Sequence, residues 1–130
     1  MPLYAAATAA LAEAAADTVS SEAGQVLGGR PRLITNWKRV EPGRDGAVSL
    51  AGTLAGVIAA GAVAAAGTLA LHGTLRFFVL SCGGGIVGFL IDSLLGATLE
   101  EQGWLNNDAV NFLSSACAAA LALVAMLAAG

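Results

Sequence analysis

Charge is scarce in this chain of 130 residues: Asp, Glu, Lys and Arg together make up 12%, about half of the ~25% usual for a soluble domain. That shortage excludes a disordered, solvated chain and argues against a soluble globular one. Histidine occurs once, at His72 near a helix end, where it reads as an exposed structural residue. No Ser/His/Asp set and no zinc-ligand spacing is present. The two cysteines, Cys82 and Cys117, lie inside apolar runs, form no CxxC pair and give no disulfide framework. Six Lys/Arg against nine Asp/Glu exclude nucleic-acid binding through a broad basic surface. No GxxxxGK[ST] phosphate loop is present, and Gly83, Gly84 and Gly85 fall inside an apolar run, where they serve packing. The amino terminus lacks the basic segment of a signal peptide and its apolar stretch runs into acids, so it reads as a retained helix.

Apolar residues (AVILMFWYC) make up 57% of the chain, unevenly spread. Gly46 to Leu75 is 30 residues without a charge, Ala109 to Gly130 is 22, and Phe77 to Leu99 carries only Asp92. A membrane span needs about 20 predominantly apolar residues, so three segments qualify. A fourth, Pro2 to Ala16, is short, alanine-rich and carries Glu13; it needs neighbours. The expected fold is all-α: a single polytopic membrane domain over 1–130, with about four transmembrane helices at about 2–22, 48–72, 77–99 and 108–129. Small residues pack the helices. The loop at about 24–46 holds three turn signals, GlyGlyArgPro, GluProGly and ArgAspGly. It also holds five of the six cations: Arg30, Arg32, Lys38, Arg39 and Arg44. The positive-inside rule places this loop in the cytoplasm, with Trp37 and Trp104 as interfacial aromatics and Arg76 alone on the opposite face.

This topology gathers most of the carboxylates at one membrane face. Asp92 stands out, because an acid flanked by PheLeuIle and SerLeuLeu costs about 2.5–3.5 kcal/mol at a span centre and less near an end. It lies on a ridge with Gly84, Gly88 and Gly96 at i+4 spacing, where another helix or a ligand can approach the backbone. Asp17 and Glu22 flank a serine pair at the end of the first helix. They sit about 140° apart on a helix, so both reach one ion only if the helix breaks after Ser21. Hard oxygen donors of this kind suit Mg²⁺, which takes one or two carboxylates and fills its shell with water and phosphate. Asp108 suits a helix cap or a site carboxylate. Asn107 and Asn111, one turn apart, offer amides for phosphate oxygens. Lys38 and Arg39 fit either anionic lipid contact or charge neutralisation over a polyphosphate. Ser114, Ser115 and Cys117 read as helix-packing residues.

Five segments in order, AlaAspThrValSerSerGluAlaGly (16–24), ProArgLeuIleThr (31–35), ProGlyArgAspGlyAlaValSerLeuAlaGlyThr (42–53), AspSerLeuLeuGlyAlaThr (92–98) and AsnAspAlaValAsnPheLeu (107–113), resemble the integral membrane family known as domain of unknown function 92. The likeness covers nearly the whole chain. The family includes a plant phytyl-phosphate kinase. The resemblance therefore implies Mg²⁺-dependent phosphoryl transfer from a nucleoside triphosphate, CTP or ATP, to a prenyl phosphate held in the bilayer. Under that reading Asp17, Glu22 and Asp92 hold the metal. Asp92, Asp108 and Lys38 serve the reaction, and Arg39, Ser93, Asn107 and Asn111 bind substrate. Family members are longer, so the chain is expected to match their carboxy-terminal half, with further helices or a second copy completing the site. Two other readings are a transporter or ion-binding module built on Asp92 and the glycine-interrupted third helix, and a non-catalytic membrane subunit assembled through its small residues.

Overall fold

A computed structural model describes residues 1–129. Four helices form the bundle: α1 (Pro2–Leu27), α2 (Leu50–Ala70), α3 (Leu75–Leu95) and α4 (Asn107–Ala128). A π-helical turn, Gly96–Glu100, extends α3. The all-α expectation holds, with one addition. Two-residue strands β1 (Arg32–Leu33) and β2 (Ala47–Val48) pair antiparallel and close the long loop into a hairpin, Arg32 opposite Val48 and Leu33 opposite Ala47. Both long connections, 28–49 and 101–106, lie at one end of the bundle. The chain start, the tight turn at 71–74 and the end of α4 lie at the other.

Three helices are long and apolar enough to cross a membrane: α2, α3 with its π turn, and α4. Only 22–28% of their most apolar stretches is buried within the protein. Their large side chains point outward, among them Leu54, Ile58, Val79, Phe112 and Val124. What lies inside is mostly small: Ala5, Ala9, Ala12 and Ala16 of α1, Ala60 and Ala64 of α2, Ala118 and Ala122 of α4, with Phe77, Phe89 and Val110 the large apolar exceptions. Such packing suits a lipid surround, where close backbone approach rather than water exclusion holds helices together. α1 packs against each of the other three helices. This central place lets α1 carry Glu13 and Asp17 without presenting them to lipid.

Local chemistry accounts for the helix limits. Ser49, Thr74 and Asn106 cap α2, α3 and α4, accepting from the amides of Gly52 at 3.1 Å, Phe77 at 3.3 Å and Ala109 at 2.9 Å. Asn106 is therefore the cap of α4, and Asp108 sits inside its first turn, where a negative charge favours the helix dipole. At the far end Arg76 donates to the carbonyl of Met126 at 3.1 Å, satisfying an acceptor in the last turn of α4. The first helix does not stop near residue 22. It runs unbroken through the Ser20–Ser21 pair to Leu27, and Gly28 and Gly29 end it. Gly24 is kept within it because Ser49 and Gly52 of the next helix pack there.

The α1–α2 seam is a stripe of small residues. A Cβ on Gly52 would come within 2.7 Å of the Ser20 carbonyl, and one on Gly56 within 2.9 Å of that of Ala16. The ridge on α3 behaves the same way, with Gly84 and Gly88 against α4 and α1, and Gly96 against the loop at Gly46. The three turn signals also hold, since Gly29, Gly43 and Gly46 each take a left-handed φ. Gly46 is the most constrained. Besides its φ of 70°, a Cβ there would overlap the backbone of Ala97 at 2.6 Å. The loop is thus pinned directly onto the π turn.

Candidate functional site

At the loop-bearing end, α1, α3 and the hairpin enclose a cavity of ≈ 130 Å³. α1 contributes Asp17, Ser20 and Ser21 to its wall, α3 contributes Phe89, Asp92 and Ser93, and the loop contributes Pro42 to Ala47 and Ser49. Glu100 of the π turn and Asn107 of α4 complete it. Four carboxylates therefore face one small space: Asp17, Asp45, Asp92 and Glu100. The one cation in the wall is Arg44, and its guanidinium is engaged by Glu101 in an exposed ion pair.

The acids are placed by specific backbone features. Asp92 lies one turn along from Gly88 on α3 and is buried. Its Oδ2 accepts from Ser114 Oγ of α4 at 2.9 Å. Asp17, from α1, lines the same cavity wall as Asp92. Glu100 reaches the same space because the π turn carries an extra residue, with i→i+5 bonds from Glu101 to Gly96 at 3.2 Å and from Trp104 to Leu99 at 2.9 Å. In an unbroken α-helix residue 100 would stand about 80° around from residue 92. The wider turn rotates it back toward the cavity wall.

A second buried acid stands one turn before Asp17 on α1. Glu13 is 1% exposed. Its carboxylate accepts from Ser115 of α4, the neighbour of the serine that serves Asp92. Adjacent serines of α4 thus serve adjacent acids of two other helices. Both serines were expected to be packing residues; here they carry polar partnerships. Gly88 makes the room, since a Cβ there would stand 2.8 Å from Glu13 Cγ. The available signal was the i, i+4 spacing of Glu13 and Asp17 on α1, which puts both on one helix face.

Of the residues marked in the sequence, the structure brings Asp17, Asp92, Ser93 and Asn107 to the cavity. Glu22 is exposed and outside it, because α1 does not break after Ser21. Asn111 is exposed on α4, with its carbonyl 3.0 Å from Ser114 Oγ. Asp108 is exposed and outside the wall. Lys38 and Arg39 lie on the outer part of the hairpin, because Leu33 N–H bonds the Lys38 carbonyl at 2.9 Å and Val40 N–H bonds that of Pro31 at 3.0 Å, folding 34–38 into an outward tip. Among the described residues no three His, Cys, Asp or Glu side chains converge closely enough to hold a metal by themselves. Asp17 and Asp92 share the wall with Asp45, Glu100, the hydroxyl of Ser93 and the amide of Asn107. Two carboxylates and neutral oxygens fit Mg²⁺, which leaves most of its shell to water and phosphate.

Comparison with known proteins decides the family. The model of the family "Integral membrane protein DUF92" matches residues 1–119. The chain belongs to this family. Among DUF92 relatives, an uncharacterized membrane protein of Methanocaldococcus jannaschii is 44% identical over 105 residues, covering 81% of this chain and 44% of the relative. "Protein VTE6, chloroplastic" of Arabidopsis thaliana is 34% identical over 111 residues, covering 83% of this chain and 33% of its own length. "Protein PGR" of the same plant is 38% identical over 101 residues, covering 68% and 34%. The chain thus spans between a third and a half of the length of these DUF92 relatives. No solved structure matches it.

Proposed function

We propose that this DUF92 chain carries the metal and phosphate site of an integral membrane, Mg²⁺-dependent phosphotransferase that moves the terminal phosphoryl group of a nucleoside triphosphate onto a prenyl phosphate. The observation that carries this reading is Asp17 and Asp92 in the wall of one polar cavity at the loop-bearing end of the bundle. The family's resemblance to a plant phytyl-phosphate kinase supplies the substrate class. Asp17 and Asp92 would hold Mg²⁺, which supplies charge neutralisation and alignment of the transferred phosphoryl group. Ser93 and Asn107 offer a hydroxyl and an amide to phosphate oxygens in the same wall. Arg44 is the cation at hand for the phosphates. A phosphate acceptor is ionised at neutral pH, so the reaction asks for positioning and charge compensation rather than a strong base, in keeping with a cavity wall without histidine. The apolar outer faces of α2 and α3 leave a prenyl tail in lipid.

The test is labelled-phosphate transfer in reconstituted bilayers, with Mg²⁺, CTP or ATP, and phytyl or geranylgeranyl phosphate. Asp92→Asn keeps the size and the Ser114 contact and is expected to abolish transfer while leaving insertion intact. Turnover retained in that variant refutes the site. Absence of transfer with either nucleotide, both by this chain and by a full-length relative reconstituted in the same way, refutes the reaction. A second reading, an ion-binding or transport module, is favoured by the buried Glu13 with Ser115, which extends the polar seam below the cavity. Ion uptake into vesicles that depends on both Glu13 and Asp92 would support it over phosphoryl transfer.

A further inference from the structure

The hairpin between α1 and α2 has cations that the acid cavity does not use. Arg44 is paired with Glu101, the one ion pair among the described residues. Arg30, Arg32, Lys38 and Arg39 are exposed and stand outside the cavity wall. Arg32 and Arg39 meet directly across an antiparallel bridge, an arrangement of like charges that opposes folding unless an anion lies between or beside them. Arg30 and Arg39 also line a second, open cleft beside Gly29 and Pro42, together with the carboxylate of Glu41.

The tip of the hairpin is built to present a tryptophan. Trp37 takes a left-handed φ of 57°, uncommon for a bulky residue, and its side chain is 62% exposed. The strain is held in place by three bonds: Trp37 N–H to the Leu33 carbonyl at 2.9 Å, Arg32 Nη1 to the Trp37 carbonyl at 2.8 Å, and Lys38 N–H to Asn36 Oδ1 at 3.0 Å. The lipid-facing surface begins close by. Val26 and Leu27 end α1 and Leu50 begins α2, all strongly exposed, and Leu50 stands two residues beyond β2. Trp104, still more exposed, lies at the same end of the bundle. An exposed indole on a loop that carries four cations outside any ion pair fits the glycerol and phosphate level of a leaflet bearing anionic lipid.

We propose that the 30–39 hairpin is a docking surface for anionic phospholipid, with Trp37 seated at the headgroup level and Arg30, Arg32, Lys38 and Arg39 on lipid phosphates. The inference stands apart from the phosphotransferase reading, since it uses none of the cavity residues. It assigns the loop's cations to the bilayer and leaves the acid cavity its own wall.

Trp104→Phe leaves Trp37 as the only tryptophan. This variant, reconstituted in phosphatidylcholine vesicles carrying either brominated phosphatidylglycerol or brominated phosphatidylcholine, reports lipid contact by quenching. The expected result is stronger quenching by phosphatidylglycerol, a relative preference of about fivefold or more, the effect of about one cation at an anionic surface. Replacing Arg30, Arg32, Lys38 and Arg39 together by Gln should bring the ratio to one, and so should molar salt acting on the parent. The charge-retaining replacement of the three arginines by Lys should keep the preference. Equal quenching by the two lipids, or no lipid quenching of Trp37, overturns the proposal. So does displacement of phosphatidylglycerol by millimolar inorganic phosphate or ATP at constant ionic strength, which would mark the cleft as a site for a soluble anion. The salt arm needs no variant of the hairpin and keeps the test decisive if the fourfold replacement fails to fold.

Discussion

Adding one methyl group at Gly88 should loosen three helices at once. A Cβ there would stand 2.7 Å from Ala118 Cβ, 2.8 Å from Glu13 Cγ and 3.0 Å from the Ser114 carbonyl. The last is backbone of α4 and cannot swing aside, and the first can move only with that helix. Gly88→Ala must therefore push α3 away from α4 and away from the Glu13 side chain. Overpacking of this kind costs about 1–3 kcal/mol. The helix-propensity gain of Ala over Gly returns at most about 1 kcal/mol. The control is internal: Gly83 lies on the same helix with nothing within 4 Å of its Cβ position. Gly83→Ala should be neutral or stabilising. The assay is thermal unfolding in a mild detergent, followed by helix signal. A kcal/mol moves the midpoint of a chain this size by roughly 3–5 °C, so Gly88→Ala should melt several degrees below the parent while Gly83→Ala does not. Adding Ala118→Gly to Gly88→Ala removes the shortest contact and should recover part of the loss. Equal midpoints for the two single variants, or a fall for Gly83→Ala as large as for Gly88→Ala, would refute the packing described for α3.

Ser114→Ala removes the hydroxyl that donates to Asp92 and leaves a buried carboxylate one partner short; a loss of about 1–3 kcal/mol is expected in the same melting assay, and Ser114→Thr should restore much of it. Gly46→Ala combines a left-handed φ with an overlap on Ala97 and should open the loop from the π turn, seen as faster proteolysis within 28–49 with the helices intact. Asn106→Ala should cost about 1 kcal/mol as the lost cap of α4, whereas Asp108→Ala should cost less than half of that, as an exposed charge at a helix dipole.

Much of this architecture is legible in the sequence because it depends on one helix at a time. The charge-free runs mark α2 and α4, the i+4 glycines mark the buried ridge of α3, and the three Gly-containing turns mark the loop. Asp92 is legible for the same reason, as a lone acid in an apolar run. What escapes is pairing between helices. Glu13 looks misplaced when only its own helix is read; its partner, Ser115, is 102 positions away. The outward aim of Lys38 and Arg39 depends on bonds from Leu33 and Val40 back across the loop, which no local pattern announces. The length of α1 escapes for a different reason. The SerSerGlu run looks like a helix end, yet the chain has no residue there that forces a stop, and the neighbouring α2 supports the extra turns.

The inward-facing alanines and glycines invert the usual relation between side-chain size and tolerance to change. In a water-soluble protein the bulky apolar residues are the ones that cannot be exchanged. Here Leu54, Ile58, Val79, Phe112 and Val124 face outward, and trading one for another alters only what touches lipid chains. The strict positions are those with almost no side chain. A saturation survey of this bundle should therefore read inside-out: tolerant at its large lipid-facing residues, and severe at the alanines and glycines packed between helices as well as at the buried Phe77 and Phe89. A substitution matrix tuned on soluble proteins would misjudge both.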